Sequence, residues 1–441
     1  MLTTILGTVL IALLAVVALV YPRRLSSLLP LFFPLVLIRF NIGSIPFSFF
    51  EVLIWVLLLG VLIHERFFLG EKGRLKEVGK LFYKYPPLLG VTVFLVIATA
   101  TLAFTPQTLS FNTGIASALW EVFETFKTAI GIWKGWIIPL FLYVFIVSFY
   151  TQIKKDESFM VVQKYSYIAS AVMVVVVGMV LQYGLQATTT LDGRLGGLFV
   201  SANYLVFYAA PALLLSLTDG LRSVRTHGLT KKTLLLAVGS LLLAVGLLFT
   251  RSYASWISLA IACGIWLWMS TTARQRVILG LVVLVLGAGI IYKEKDSPKF
   301  KAFTEITEQS STSTRVEVYT ISTELLKEHW LTGVGMGAYE AVYKTEAVRI
   351  LGKQPYEWVM LHPHNLYLSW WLFTGIFGFI TMLVLSVTTL WHGFKKYSLA
   401  VFPFLYILLH GFVDTPFWKL DAMLIFFLVI LLVWQKKEEK E

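Results

Sequence analysis

The chain has 441 residues, of which 57% are hydrophobic and 14% charged, and its mean hydropathy is +0.77. A soluble domain carries about 25% charged residues, so a single water-facing surface cannot hide this much apolar side chain. The formal charge of +12 would suggest nucleic acid in a soluble protein. In a membrane protein it follows from basic loops that set topology, and no nucleic-acid partner is expected. Cys263 is the single cysteine, which excludes an intramolecular disulfide.

A membrane-crossing helix needs roughly 20 apolar residues. In chain order the candidate spans are Leu2–Val20, Phe47–Ile63, Leu88–Phe104, Ile137–Phe149, Ile168–Leu185, Leu198–Leu217, Leu234–Phe249, Ala254–Met269, Val277–Tyr292, Leu366–Leu390, Val401–Phe412 and Ala422–Trp434. The first run lacks a basic start and a small-residue cleavage pattern, and Tyr21-Pro22-Arg23-Arg24 follows it, so it is expected to be retained. A shorter run, Leu28–Ile38, holds Pro30 and Pro34. If it crosses, about thirteen helices and an outer N-terminus result; if it is re-entrant, about twelve and an inner one. The expected fold is therefore all-α: one polytopic membrane domain over residues 1–441, with one large outer loop at 293–363 that contains an amphipathic helix.

Loop charge orients the helices. Basic clusters occur at Arg66–Lys84 (with Lys72, Arg74, Lys76 and Lys80), Lys154-Lys155, Arg222 to Lys232, Arg274 to Arg276, Lys395-Lys396 and Lys436-Lys437. Two spans separate each neighbouring pair, so all fall on one side, the cytoplasm by the positive-inside rule. The opposite, outer side then holds Leu191–Gly197, Thr250-Arg251, the loop from about Lys293 to Pro363, and Gly411–Lys419.

That outer side carries polar residues which topology does not require. An arginine at membrane depth costs about 2.5–3.5 kcal/mol. Arg251 sits between the apolar runs Leu241–Phe249 and Tyr253–Ile261, where snorkelling at a helix end is the bland explanation. Arg194 opens the preceding outer segment, Asp192-Gly193-Arg194, and Asn203 follows in the next helix. The large loop reads as a basic extended start (Lys299, Lys301), the polar stretch Ser310-Ser311-Thr312-Ser313-Thr314, and a helix from about Arg315 to Trp330. Val316, Tyr319, Ile321, Leu325 and Leu326 are expected to form its apolar face at the membrane surface. Gly333-Val334-Gly335-Met336-Gly337 reads as a turn, with a phosphate loop the weaker alternative because no strand precedes it. His362-Pro363-His364-Asn365 closes the loop. His410 and Asp414 are expected at i and i+4 on one helical face, with Lys419 and Asp421 beyond. Arginine forks bind phosphate through charge-assisted hydrogen bonds, and histidine takes a proton from an attacking hydroxyl. This set suits a substrate with a lipid tail and a diphosphate head. No carboxylates cluster at metal-ligand spacing, so no metal or other cofactor is expected, and arginine would stabilise a leaving diphosphate.

These pieces together resemble the bacterial O-antigen ligase and polymerase superfamily. The resemblance rests on Gly193-Arg194 with Leu198-Phe199 and Asn203; Phe249-Thr250-Arg251-Ser252; Ser313-Thr314-Arg315; the 333–337 glycines with Tyr339; His362-Pro363-His364-Asn365-Leu366-Tyr367-Leu368; and His410-Gly411-Phe412-Val413-Asp414-Thr415-Pro416. It implies a metal-independent, inverting glycosyltransferase of GT-C-like architecture that moves a glycan from undecaprenyl diphosphate to an acceptor outside the cytoplasmic membrane. By the same resemblance Arg194 and Arg251 would grip the diphosphate, joined by Arg315. His364 would be the general base, with Asn203, His362, Asn365, His410 and Asp414 supporting it or the acceptor. Two departures stand out. Ser201-Ala202-Asn203 replaces an Asn-Pro-Asn common in the family, and Phe373-Thr374-Gly375 lacks its carboxylate before Thr-Gly. Glu346, Glu357 and Asp414 remain as substitutes.

The implied acceptor is a cell-surface glycan or lipid such as lipid A-core. A polymerase extending the lipid-linked chain and a protein O-oligosaccharyltransferase are chemically close alternatives. A transporter or flippase for the same lipid would be a different class; it would show internal repeats, and none is evident.

Overall fold

The computed structural model describes residues 12–42, 45–65, 72–104, 127–187, 190, 193–297, 300–301 and 310–435. The start of Leu2–Val20, and with it Arg66, Leu191, Asp192, Lys299, Lys436 and Lys437, lie outside these residues. Each apolar run of the sequence that falls within them lies on a helix. In chain order these are α1 (Ala12–Val20), α2 (Pro22–Leu28) continued by a 3-10 helix over Leu29–Leu37, a hairpin of β1 (Arg39–Ile42) and β2 (Ile45–Ser48), α3 (Phe49–His64), α4 (Lys72–Lys84) and α5 (Pro86–Leu102). There follow α6 (Lys127–Ile153) and α7 (Glu157–Gly184), α8 (Ala202–His227), α9 (Lys231–Phe249), α10 (Tyr253–Ser270), α11 (Ala273–Glu294), α12 (Ser311–Glu328), α13 (Tyr339–Leu351), α14 (Leu366–Lys395), α15 (Val401–His410) and α16 (Leu420–Val433).

Among the described residues, six helices are long and apolar enough to cross a membrane: α6, α7, α8, α9, α10 and α14. Up to eight qualify if the bent pairs α1–α2 and α4–α5 each count as one crossing. The chain is a multi-pass membrane protein. Apart from Asp421 in its first turn, α16 is apolar on every side, and all of it is buried, as a helix without a polar face must be. It is packed among α6, α8, α14, α15 and the 3-10 helix. By contrast Leu234, Leu241, Val277 and Leu284 on α9 and α11 are each more than 60% exposed, a surface that only lipid can cover at no cost.

Ion pairs gather one face. Arg23 binds Asp156 at 2.6 Å, and Lys154 binds Glu65. The start of α2, the end of α3 and the α6–α7 connection therefore lie together. From that face α2 and its 3-10 continuation run to the hairpin at Arg39, and α3 returns. Seven α residues at 1.5 Å and nine 3-10 residues at about 2.0 Å give about 28 Å, and this segment is bent by 119° from α1, as in a broken span or a re-entrant loop. Most of the stretch read as a basic loop at Arg66–Lys84 is instead helix α4.

α14 is broken at Gly375, whose φ of 66° and ψ of −173° are not helical. The break frees the Leu372 carbonyl, which accepts from Val334 N at 2.8 Å and Gly335 N at 3.1 Å, while Ile376 N donates to Leu331 O. The glycine-rich turn is thus a plug for the broken helix, and those amides are committed to it. Its three glycines all hold positive φ, where a side chain would be strained. The plug yields a stability prediction. A Cβ at Gly375 would lie 2.2 Å from Leu331 O, and left-handed strain alone costs about 1–3 kcal/mol. Gly375→Ala should lower the thermal unfolding midpoint in detergent. Gly264→Ala in α10, whose Cβ meets open space, should hold or raise it. Equal midpoints for Gly375→Ala and the parent would refute the plug.

Candidate active site

The site is assembled where α8, α10 and α14 begin. Asn365 caps α14, its side chain accepting from Tyr367 N and Leu368 N, and its amide donates to Phe412 O at 3.0 Å. His364, one residue earlier, holds a left-handed φ of 48°. That conformation is costly for a non-glycine residue and is held from two sides. The His364 amide donates to His362 Nδ1 at 3.3 Å, and the Tyr319 hydroxyl donates to the carbonyls of His364 (3.0 Å) and Phe412 (2.8 Å).

His364 Nδ1 lies 3.2 Å from Asp414 Oδ1. An ionised carboxylate only accepts, so Nδ1 carries a proton and directs it at Asp414, which leaves Nε2 as the nitrogen facing away from that pair. The His364 side chain is 29% exposed and the Asp414 side chain 4%. Asp414 also accepts from Thr415 N at 2.8 Å and from Asn203 Nδ2 at 3.0 Å. Burial by itself would raise the Asp414 carboxyl; the charge and hydrogen bond of His364, then the charges of His362 and Arg315, hold it well below the usual carboxylate range.

Asn203 is the junction. Its Oδ1 accepts from Arg194 Nη1 at 3.5 Å and Ser252 Oγ at 3.4 Å while its Nδ2 reaches Asp414. Arg194 is placed by a pinned segment: Gln182 donates to Arg194 O and accepts from Gly196 N, and Leu195 N donates to Phe249 O. Arg251 joins α9 to α10 with a φ of 46°. Its half-exposed side chain lies 3.9 Å from Glu294, a carboxylate that also accepts from Tyr253. Arg315 donates to Val413 O and Ser311 O, each at 3.0 Å, which staples α12 beside Asp414 and uses two of its five N–H groups.

Several expectations shift. α12 begins at Ser311, capped by Ser310, so the Ser/Thr stretch is its first turn. Its inward face carries Val318, Ile321, Leu325 and Leu326, with Val316 pointing outward at 56% exposure; the 3.6-residue period selects 318 over 316 once the true start is known. Lys301 is helical where an extended start was expected. α15 ends at His410, and Asp414 lies beyond it in a turn closed by Asp414 N donating to His410 O. His410 points away, stacked on Phe207 at 4.3 Å and bonded to Tyr406 at 3.1 Å. Of the three substitute carboxylates, Asp414 meets His364; Glu346 pairs with Arg349 and Glu357 is exposed. Lys419 lies 3.6 Å over the Tyr204 ring, and burial lowers its amine below the usual value. Ser252, Tyr319 and Thr415 were quoted in the sequence without a role in the site, and Tyr204 adjoins Asn203; Gln182 had no such signal.

His362, His364 and Asp414 each offer a ligand atom within 4.8 Å of the others, so they are the described residues that could hold a cation. In this arrangement the facing atoms are engaged with protein partners. His362 cannot act as a base near neutrality. Burial first, then the His364 charge, lowers it to about 3, and with Nδ1 accepting, its Nε2 donates to the Tyr204 hydroxyl at 3.2 Å. Because its folded pKa is depressed, it contributes stability above 6.5 that is lost as pH falls toward 3. His362→Gln, which can keep both hydrogen bonds, should flatten the fall of the unfolding midpoint across that window; an unchanged acid profile would show that His362 is not the sensing group.

Residues 238–383 match the family model described as O-antigen ligase. The matched span holds Arg251, Arg315, His362, His364 and Asn365; Arg194, Asn203 and Asp414 lie outside it. No curated protein matches the chain.

Proposed function

Proceeding from the O-antigen ligase match over residues 238–383, which supports membership of the O-antigen ligase superfamily, we propose that this chain is a glycosyltransferase that moves a glycan from undecaprenyl diphosphate to a cell-surface acceptor such as lipid A-core. The observation that carries the reading is the His364–Asp414 pair joined through Asn203 to Arg194. A fixed Nδ1 proton leaves His364 Nε2 to take the proton of an acceptor hydroxyl. The hydroxyl oxygen attacks the anomeric carbon and inverts it. The bond to the diphosphate breaks, and that group leaves with the electron pair. Arg194, Arg251 and Arg315 would stabilise its charge. Asp414 would orient the base, and His362, Asn365 and Asn203 would hold the geometry, while His410 would support the wall behind them.

The reading places the site on the outer side of the cytoplasmic membrane, opposite the basic loops, in a single GT-C-like domain of about twelve crossings. Opposed ends of α8, α10 and α14 support it: each begins at the site and ends at or beside a basic cluster.

Purified protein incubated with a lipid-linked glycan and candidate acceptors, with products identified by mass, tests the assignment. Glycan on the acceptor supports a ligase; glycan lengthened on its own lipid carrier would make the chain a polymerase. His364→Ala should reduce transfer by at least ~100-fold in protein that still unfolds cooperatively, with a lower midpoint because Asp414 loses a partner; full activity would remove the base. Single Arg194→Ala and Arg251→Ala variants should each weaken donor use by about 1.5–3 kcal/mol. EDTA should leave the rate unchanged, and a reproducible metal requirement would redirect attention to His362, His364 and Asp414 as ligands.

A further inference from the structure

The helices that begin at the candidate site end together at the opposite face. About 33 Å of α8 separates Asn203 from Arg225 at 1.5 Å per residue. There a cleft of about 290 Å³ opens, lined by Leu221, Arg222, Arg225, Trp266, Ser270 and Tyr397 among others. It lies between the last turns of α8, the end of α10 and the connection from α14 to α15.

Its polar lining supplies donors and no carboxylate. Arg222 and Arg225 are one turn apart, and neither has an acidic partner among the described residues. Some other cations of this face do: Lys164 binds Asp219 at 2.8 Å, and Arg23 binds Asp156. Trp266 is only 6% exposed, yet its indole N–H has no acceptor among the described residues. Its ring is fixed against Phe402 at 6.4 Å. Topology explains why arginines lie on this face; it does not explain why two of them line one cleft together with an indole whose N–H is left for an outside acceptor. The convergent donors call for an anion with several acceptor oxygens. Leu221 and the Trp266 ring give the cleft an apolar side, and it opens beside Ile265, Trp268 and Met269 of α10, all exposed apolar side chains.

We propose that this cleft binds the phosphate headgroup of an anionic phospholipid in the leaflet opposite the candidate active site, its acyl chains lying along α10. The inference does not depend on the transfer reaction. Purified full-length protein, detergent-solubilised with phosphatidylglycerol or phosphatidylcholine, would be examined by native mass spectrometry. The parent should retain phosphatidylglycerol preferentially. Arg222→Gln/Arg225→Gln should reduce that retention by about tenfold, and Trp266→Phe, which keeps the ring, by about threefold. Lys395→Gln/Lys396→Gln, on the same face outside the cleft lining, should leave it unchanged. Equal retention of both lipids, or an equal loss in the lysine control, would overturn the site. Displacement of phosphatidylglycerol by inorganic phosphate alone would overturn the lipid assignment in favour of a free anion.

Discussion

A carboxylate buried at the edge of a membrane domain is the constraint on which the site depends. Taking an ionised group out of water costs several kcal/mol unless charges and hydrogen bonds replace the solvent. Asp414 has three such partners, His364 Nδ1, Asn203 Nδ2 and Thr415 N. They come from the end of the large loop, the start of α8 and the turn after α15, regions that are far apart in the chain. Satisfying one carboxylate therefore fixes the relative position of all three. Through the other end of the Asn203 amide it also fixes Arg194 and the Ser252 beside Arg251.

The irregular backbone around Asp414 is the other half of that constraint. Away from water, every backbone polar group must find an internal partner, so helices may break only where something else completes them. Here each break has its completion. Val334 and Gly335 serve the Leu372 carbonyl at the break in α14, and Gln182 serves Arg194 O and Gly196 N. His362 serves the amide of left-handed His364. The helices between these points carry little chemistry and much order, and α16, buried along its whole length, gives them a common post.

Much of this was legible in the sequence for simple reasons. Apolar runs and loop charges are one-dimensional signals, so helix positions and shared faces could be read from them. The grouping of Arg194, Arg315, His364 and Asp414 followed from side alone. What could not be read was anything set by contact. The choice among Glu346, Glu357 and Asp414 as partner of His364 depends on which turn folds back, and neither spacing nor residue type records that. Leu28–Ile38 was open in the sequence because a count of residues assumes the α-helical rise, and its 3-10 form with a 119° bend from α1 is compatible with a broken span or a re-entrant loop. The glycines of 333–337 looked like a ligand loop because their need for positive φ is the same whether the amides serve a phosphate or a broken helix.

Exposure sorts the residues along the lines the proposed chemistry requires. A base and a phosphate clamp must be reachable, whereas the groups that aim them must not exchange their partners for water, since a hydrogen bond to a carboxylate orients best where nothing competes for it. Arg251 is 52% exposed and His364 29%, while Asp414 behind His364 is 4% exposed and His362 3%. Arg315 is intermediate, with part of its fork spent on carbonyls and part left over. A purely structural cluster would have no reason to leave a strained histidine partly open while burying the His362 and Asp414 side chains that hold it. The gradient from Asp414 outward is the one the proposed chemistry needs, with the orienting groups inside and the groups that would meet a substrate outside.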